Sequence, residues 1–117
     1  MIYPGGAVRI HVATEPVDFR KGIDSLAALV QHYYGMQPFS GDIFIFRNRG
    51  ANRLKALFWD GTGMVLVTKR LEDGKFRWPR LHHGTYSVTR SQFEALVEGL
   101  DWTKVRPREV RAPTLAA

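Results

Sequence analysis

Arg53-Leu-Lys-Ala-Leu-Phe-Trp-Asp-Gly-Thr-Gly-Met-Val-Leu-Val-Thr-Lys-Arg70 decides how this chain folds. Two apolar runs of strand length flank Asp60-Gly61-Thr62-Gly63. Asp-Gly between such runs signals a β-hairpin, because glycine reaches positive φ without a steric penalty. With 60–63 as the loop, Trp59 faces Met64, Leu57 faces Leu66, Lys55 faces Thr68 and Arg53 faces Arg70. These residues share one side of the ribbon, because side chains alternate along a strand. Phe58, Ala56, Leu54, Val65, Val67 and Lys69 share the other side. Each side is therefore apolar near the turn and basic at the open end.

Upstream, Ile43-Phe44-Ile45-Phe46 is a continuous apolar run, too short for a helix and rich in strand formers, so it reads as a strand buried on both faces. Downstream, Asp73-Gly74 is a second turn, leading to a short strand at Phe76-Arg77-Trp78 that Pro79 ends. The segment 43–78 thus reads as an antiparallel meander of about four strands joined by short turns. Val8, Ile10 and Val12 alternate with polar residues and predict a further strand over about 8–13.

Two helices complete the set. Ile23, Leu26, Ala27, Val30, Tyr33 and Tyr34 recur at helical spacing, and Gly35 supplies the stop, so a helix is expected over about 22–34. Its start is open, because Gly22 and Asp24 allow several caps and Asp18 favours either a turn or a helix start. Thr89 and Gln92 form a capping box, and Val88 with Phe93 has the spacing of a hydrophobic staple. A helix over about 90–98 follows, with Gly99 ending it. The stretch 80–86 reads as irregular. The expected fold class is α+β, an antiparallel sheet of about five strands packed with two helices in one compact domain over 1–102. Beyond Trp102 a basic tail, 103–117, is expected to be disordered, having two prolines and little apolar content before the terminus.

The composition bounds the chemistry. The 117 residues, 44% of them hydrophobic, suffice for a real core. There is no cysteine, which excludes disulfides, thiolate metal sites and a cysteine nucleophile. No signal peptide and no apolar window of about 18 residues is present, so a soluble, cytoplasmic protein without membrane partners is expected. The net charge is +6. Residues 47–80 hold nine basic side chains against three acidic ones, a surplus equal to that of the whole chain.

Those cations are Arg47, Arg49, Arg53, Lys55, Lys69, Arg70, Lys75, Arg77 and Arg80, interleaved with Phe58, Trp59, Phe76 and Trp78. Guanidinium groups grip phosphate oxygens bidentately, and aromatic faces stack on exposed bases. The same residues also fit a plainer reading, with the aromatics in the core and the Lys and Arg guarding strand edges. Arg20 and Lys21 stand at the start of a helix, where the dipole disfavours cations, which marks them as second candidates for an anionic ligand. Asp18, Asp24, Asp42, Asp60 and Asp101 form no local acid cluster, and most have turn or cap explanations. His82 and His83 are adjacent, so on a strand they would point to opposite faces and not chelate one ion. No phosphate loop or nucleophile elbow occurs. No catalytic residue, metal site or cofactor is expected.

Four stretches carry a family resemblance. They are Pro16-Val-Asp-Phe-Arg-Lys-Gly-Ile-Asp-Ser-Leu-Ala-Ala-Leu-Val-Gln31, Pro38-Phe-Ser-Gly-Asp-Ile-Phe-Ile-Phe-Arg47, Arg53 through Pro79, and Glu98-Gly-Leu-Asp-Trp102. In this order they resemble the TnpB-type accessory proteins encoded by bacterial insertion sequences of the IS66 family. The blocks Asp-x-Arg-Lys-Gly and Trp-Asp-Gly-x-Gly…Lys-Arg-Leu-Glu are the most specific. The chain departs from the family at 48–52, where a more basic loop is usual. The resemblance implies a helper in transposition, acting beside a separate and larger transposase that carries the catalytic acids. DNA at the element ends and the transposase are the implied partners. Two roles stay open: a DNA-binding factor contacting phosphate through Arg47, Arg49, Arg53, Lys55, Lys69, Arg70, Lys75 and Arg77, with Arg20 and Lys21; or a protein module docking through Leu57 and Trp59 or the helix 22–34 on the transposase or a second copy. A cryptic nuclease using Asp18 or Asp60 is the third reading and is not expected.

Overall fold

The computed structural model describes residues 7–80 and 83–106. Among them a five-stranded sheet is sandwiched between helical layers. Its strands are β1 (Ile10–Ala13), β2 (Ile43–Arg47), β3 (Arg53–Trp59), β4 (Met64–Arg70) and β5 (Thr85–Val88). The helices are α1 (Ile23–Ala28), which continues as a π-helical turn over Leu29–Tyr33, and α2 (Arg90–Val97), followed by a 3-10 turn at Trp102–Lys104.

The hairpin is the feature the sequence reads best. β3 and β4 pair antiparallel with Trp59 opposite Met64, Leu57 opposite Leu66, Lys55 opposite Thr68 and Arg53 opposite Arg70, the expected register. Its turn is closed locally. Asp60 Oδ1 accepts from the backbone N–H groups of Thr62 and Gly63, both at 2.9 Å, and the Asp60 N–H donates to the Gly63 carbonyl. Gly61 sits at φ 108, a region that L side chains avoid.

The strand order is β4-β3-β2-β1-β5. Three features differ from the expected meander. First, β1 and β2 pair in parallel, Ile10 beside Ile43 and Val12 beside Ile45. A parallel pair needs a long crossover, and the segment holding α1 supplies it. Second, 76–78 is not a strand. It makes one backbone bond toward the sheet region, Phe76 N–H to the Ala51 carbonyl, and is otherwise pinned by side chains: Phe76 is core, Trp78 Nε1 donates to the Ala13 carbonyl, and Trp102 Nε1 donates to the Arg77 carbonyl. Third, the fifth strand is β5, which begins in the stretch 80–86 read as irregular and runs on to the residue before the α2 cap, and it pairs antiparallel with β1.

This topology gives the sheet two covered faces. On one, Val12, Ile45, Ala56, Phe58, Phe93, Leu96 and Trp102 form a core beneath α2. On the other, Phe44, Phe46, Leu57, Leu26 and Val30 form a second core beneath α1. All four residues of the Ile43–Phe46 run are buried, which is why that run lacks alternation. The capping box of α2 is complete: Gln92 N–H donates to Thr89 Oγ1 at 3.1 Å, and Thr89 N–H to Gln92 Oε1 at 2.9 Å. The helix closes with Gly99 N–H on the Leu96 carbonyl and Leu100 N–H on the Ala95 carbonyl, a Schellman ending. At Gly99 a Cβ would stand 3.1 Å from Leu71, so glycine also permits that contact. The α1 N-cap is Gly22, without a side-chain cap. Asp18 builds a turn instead, its Oδ1 accepting from the Arg20 N–H and its carbonyl from the Lys21 N–H. The 3-10 turn carries the chain past Trp102, and Gln92 Nε2 donates to the Val105 carbonyl. Most of the expected tail, 107–117, lies outside the described residues, as does His82.

Candidate nucleic-acid interface

The basic residues of the hairpin divide by where the topology sends them. Lys55 points to the α1 side of the sheet. It is only 9% exposed, and its Nζ donates to the carbonyls of Phe19 at 2.7 Å and Lys21 at 2.9 Å. The same ammonium lies 4.7 Å from the centre of the Phe19 ring, a cation–π contact. Lys69 points to the other side, and its Nζ donates to the carbonyl of Val97 at the end of α2, where the helix dipole favours a cation. Each lysine thus ties one helical layer to the sheet. Arg47 is also engaged. Its guanidinium donates to the carbonyls of Asn48 and Arg49 and lies 5.9 Å over the Trp78 ring, and burial pushes its pKa down. Its buried Nε has no hydrogen-bond partner among the described residues.

Arg53 and Arg70 face each other across the open end and are both exposed. Like charges directly opposite repel. The Arg70 guanidinium donates to Glu72 Oε1 at 3.0 Å, which offsets one of the two. Arg53 has no side-chain ion pair or hydrogen bond among the described residues. Phe19, Arg53, Lys55, Thr68, Arg70 and Glu72 line one open groove of about 590 Å³. Three cations against one carboxylate make it electropositive, and the anchored Lys55 places a fixed charge in its wall. Phe19 also borders a smaller groove of about 450 Å³, lined by Pro16, Val17, Asp18, Asn48, Arg49 and Gly50.

The other candidate cations lie elsewhere. Arg77 and Arg80 line a third groove of about 560 Å³ with Trp78, Tyr86, Asp101 and Trp102. Lys75 is exposed in the loop after β4. Arg20 is bound bidentately by Asp18, with contacts of 2.6 and 3.0 Å, and this pairing holds the Asp18 carboxyl well below the usual carboxylate range. Lys21 contributes its carbonyl to Lys55. Of the docking candidates, Leu57 is fully buried in the core under α1 and presents nothing to a partner. Trp59 is partly exposed and meets Phe39 edge to face at 5.6 Å, and Phe39 is 59% exposed.

The acids have structural work. Asp60 closes the hairpin turn, and the backbone N–H groups of Thr62 and Gly63 lower its pKa. Asp101 caps the 3-10 turn through Thr103. Asp42 Oδ2 accepts from His11 Nε2 at 2.9 Å, and the His11 ring stacks on Phe44. Among the described residues no three His, Cys, Asp or Glu side chains gather to hold a metal ion, and no helix is long and apolar enough to cross a membrane.

Phe19 is the residue of this site that sequence reasoning missed. It sits in the Asp-Phe-Arg-Lys-Gly block, so the block itself was the available signal. No periodicity applies within a turn, and nothing local says that its ring meets a lysine 36 positions away.

The family model described as "IS66 Orf2 like protein" matches residues 8–107. The chain is 47% identical over its full length, and over the full length of the relative, to the uncharacterized protein y4jC of Sinorhizobium fredii. It is 39% identical to the uncharacterized protein y4hO of the same organism, over 97% of each chain. No solved structure matches it.

Proposed function

The chain belongs to the IS66 Orf2-like family, and from that premise we propose that it is a non-enzymatic accessory factor for transposition that binds DNA through the groove at the open end of the β3–β4 hairpin. The observation that carries the reading is the convergence of Arg53, Arg70 and the anchored Lys55 in that groove, with Arg53 unpaired among the described residues and repelled by its cross-strand neighbour. An anion between the two arginines relieves that repulsion, and phosphate oxygens suit the forked donors of guanidinium. Arg53 and Arg70 make the principal phosphate contacts, and Arg49, Lys75 and Arg77 extend the surface. Lys55, Lys69, Arg47 and Arg20 act through the fold, because each is already held by a carbonyl or carboxylate of the chain.

The test is a mobility-shift series on element-end DNA at two or more salt concentrations. Binding should weaken steeply with salt, and Arg53→Ala should lower the logarithmic salt slope by about one. No binding to duplex or single-stranded DNA at low salt, with the transposase retained on a column of the protein, overturns the reading. One observation favours that rival: the exposed Phe39 packed against Trp59 at the turn end is a small aromatic surface suited to a protein partner.

A further inference from the structure

Phe19 is a half-buried aromatic that belongs to neither core described above. Its backbone is held from two directions. The Asp18 turn fixes the chain on either side of it, and its own carbonyl accepts from Lys55. Phe19 borders both the groove of Arg53 and Arg70 and the groove of Arg49, which Asp18 also lines in its ion pair with Arg20. An aromatic on a backbone so held, next to two recesses with arginine in each, has the parts of a stacking platform: a π-face with phosphate grips on both sides.

We infer that Phe19 stacks on an unpaired base of single-stranded DNA, with Arg53 and Arg70 on the phosphate to one side and Arg49 on the phosphate to the other. The inference rests on the nucleic-acid reading above and specifies its ligand. Within a duplex each base face is covered by its neighbour, so a ring finds a face only on a strand that is open or has a base turned out. The two grooves are open recesses of about 590 and 450 Å³, roomy enough for a nucleotide. Lys55 covers one face of the ring with its ammonium, 4.7 Å from the ring centre, so the base takes the opposite face.

The test uses the full chain with a single strand carrying 2-aminopurine and with the duplex formed from that strand. The expected result is tighter binding of the single strand, with the fluorescence quenching that stacking produces. Phe19→Leu keeps apolar bulk and should weaken single-strand binding by about 5- to 100-fold and abolish the quenching, leaving duplex binding unchanged and lowering the melting temperature only by what the Lys55 cation–π contact contributes. Phe19→Trp should retain both binding and quenching. Equal loss for both forms of DNA, or no loss in Phe19→Leu, overturns the inference. Arg53→Ala separates the two levels. If it weakens both forms while Phe19→Leu changes neither, only the stacking role fails. If it changes neither form, the groove itself is not the DNA site.

Discussion

The two ends of the β3–β4 hairpin are built by different means. At the turn end, Asp60 satisfies the N–H groups of its own loop, and residues within four positions of one another account for the geometry. At the open end, the lysines are held by carbonyls of Phe19, Lys21 and Val97, all at least 28 positions away. The turn end is self-contained architecture. The open end is a meeting point of both helical layers, and its leftover charges face solvent. The proposed ligand meets the protein where distant segments converge, at the residues that do not serve the convergence.

The largest expected effect tests the apolar middle that joins the two ends. Leu57→Ala should cost about 2–5 kcal/mol in urea unfolding, because Leu57 is fully buried beneath α1. A stable Leu57→Ala protein that failed to bind the transposase would restore Leu57 as a docking residue and break the comparison. At the open end, Lys55→Ala should cost about 1.5–3 kcal/mol, since it strips a charged donor from two carbonyls and a cation from the Phe19 ring. An unaffected Lys55→Ala protein would mean that the lysine is free for phosphate after all. At the turn end, Gly61→Ala should cost about 1–2 kcal/mol, because a Cβ is strained at φ 108. DNA affinity should follow only the loss of folded protein.

Arg53→Ala should change stability by less than about 0.5 kcal/mol while lowering the salt slope of DNA binding, the reverse of Lys55→Ala. That pair of outcomes separates a structural cation from a ligand-binding one two residues away. The smallest effect is acid sensitivity at the turn. The folded pKa of Asp60 lies below its unfolded value, so its contribution is present above the unfolded carboxylate range, near about pH 4, and fades as pH falls toward the folded value. Asp60→Asn should flatten that part of the acid-unfolding curve, and an unchanged curve would show that the turn bonds do not favour the charged form.

The sequence was most legible where the bonds are short-range. Asp60-Gly61 predicts the hairpin and its register, Thr89 and Gln92 predict the cap of α2, and the apolar run at 43–46 predicts a strand with both faces covered. The misses share a cause. Phe76-Arg77-Trp78 has strand composition, but its aromatics are consumed by plugging the core and bonding distant carbonyls. Thr85-Tyr-Ser-Val88 is short and leaves Tyr86 and Ser87 exposed, so its pairing with β1 has no local signature. The parallel β1–β2 pair depends on a crossover whose closing contacts are long-range.

The candidate site divides in the same way. Local charge counting points to the open end of the hairpin, and alternation puts Arg53 opposite Arg70. It cannot tell a cation that faces solvent from one that reaches a carbonyl of another element, because both look alike along the strand. By itself the sequence determined the first four strands, the two helices, the hairpin register and the basic open end, since these follow from propensity, turn chemistry and period. Only the tertiary structure decided the strand order, the burial of Leu57, the internal use of Lys55 and Lys69, and the place of Phe19 between two grooves. Each of those depends on which remote carbonyl or ring a side chain meets, and that is set when the two helical layers close on the sheet.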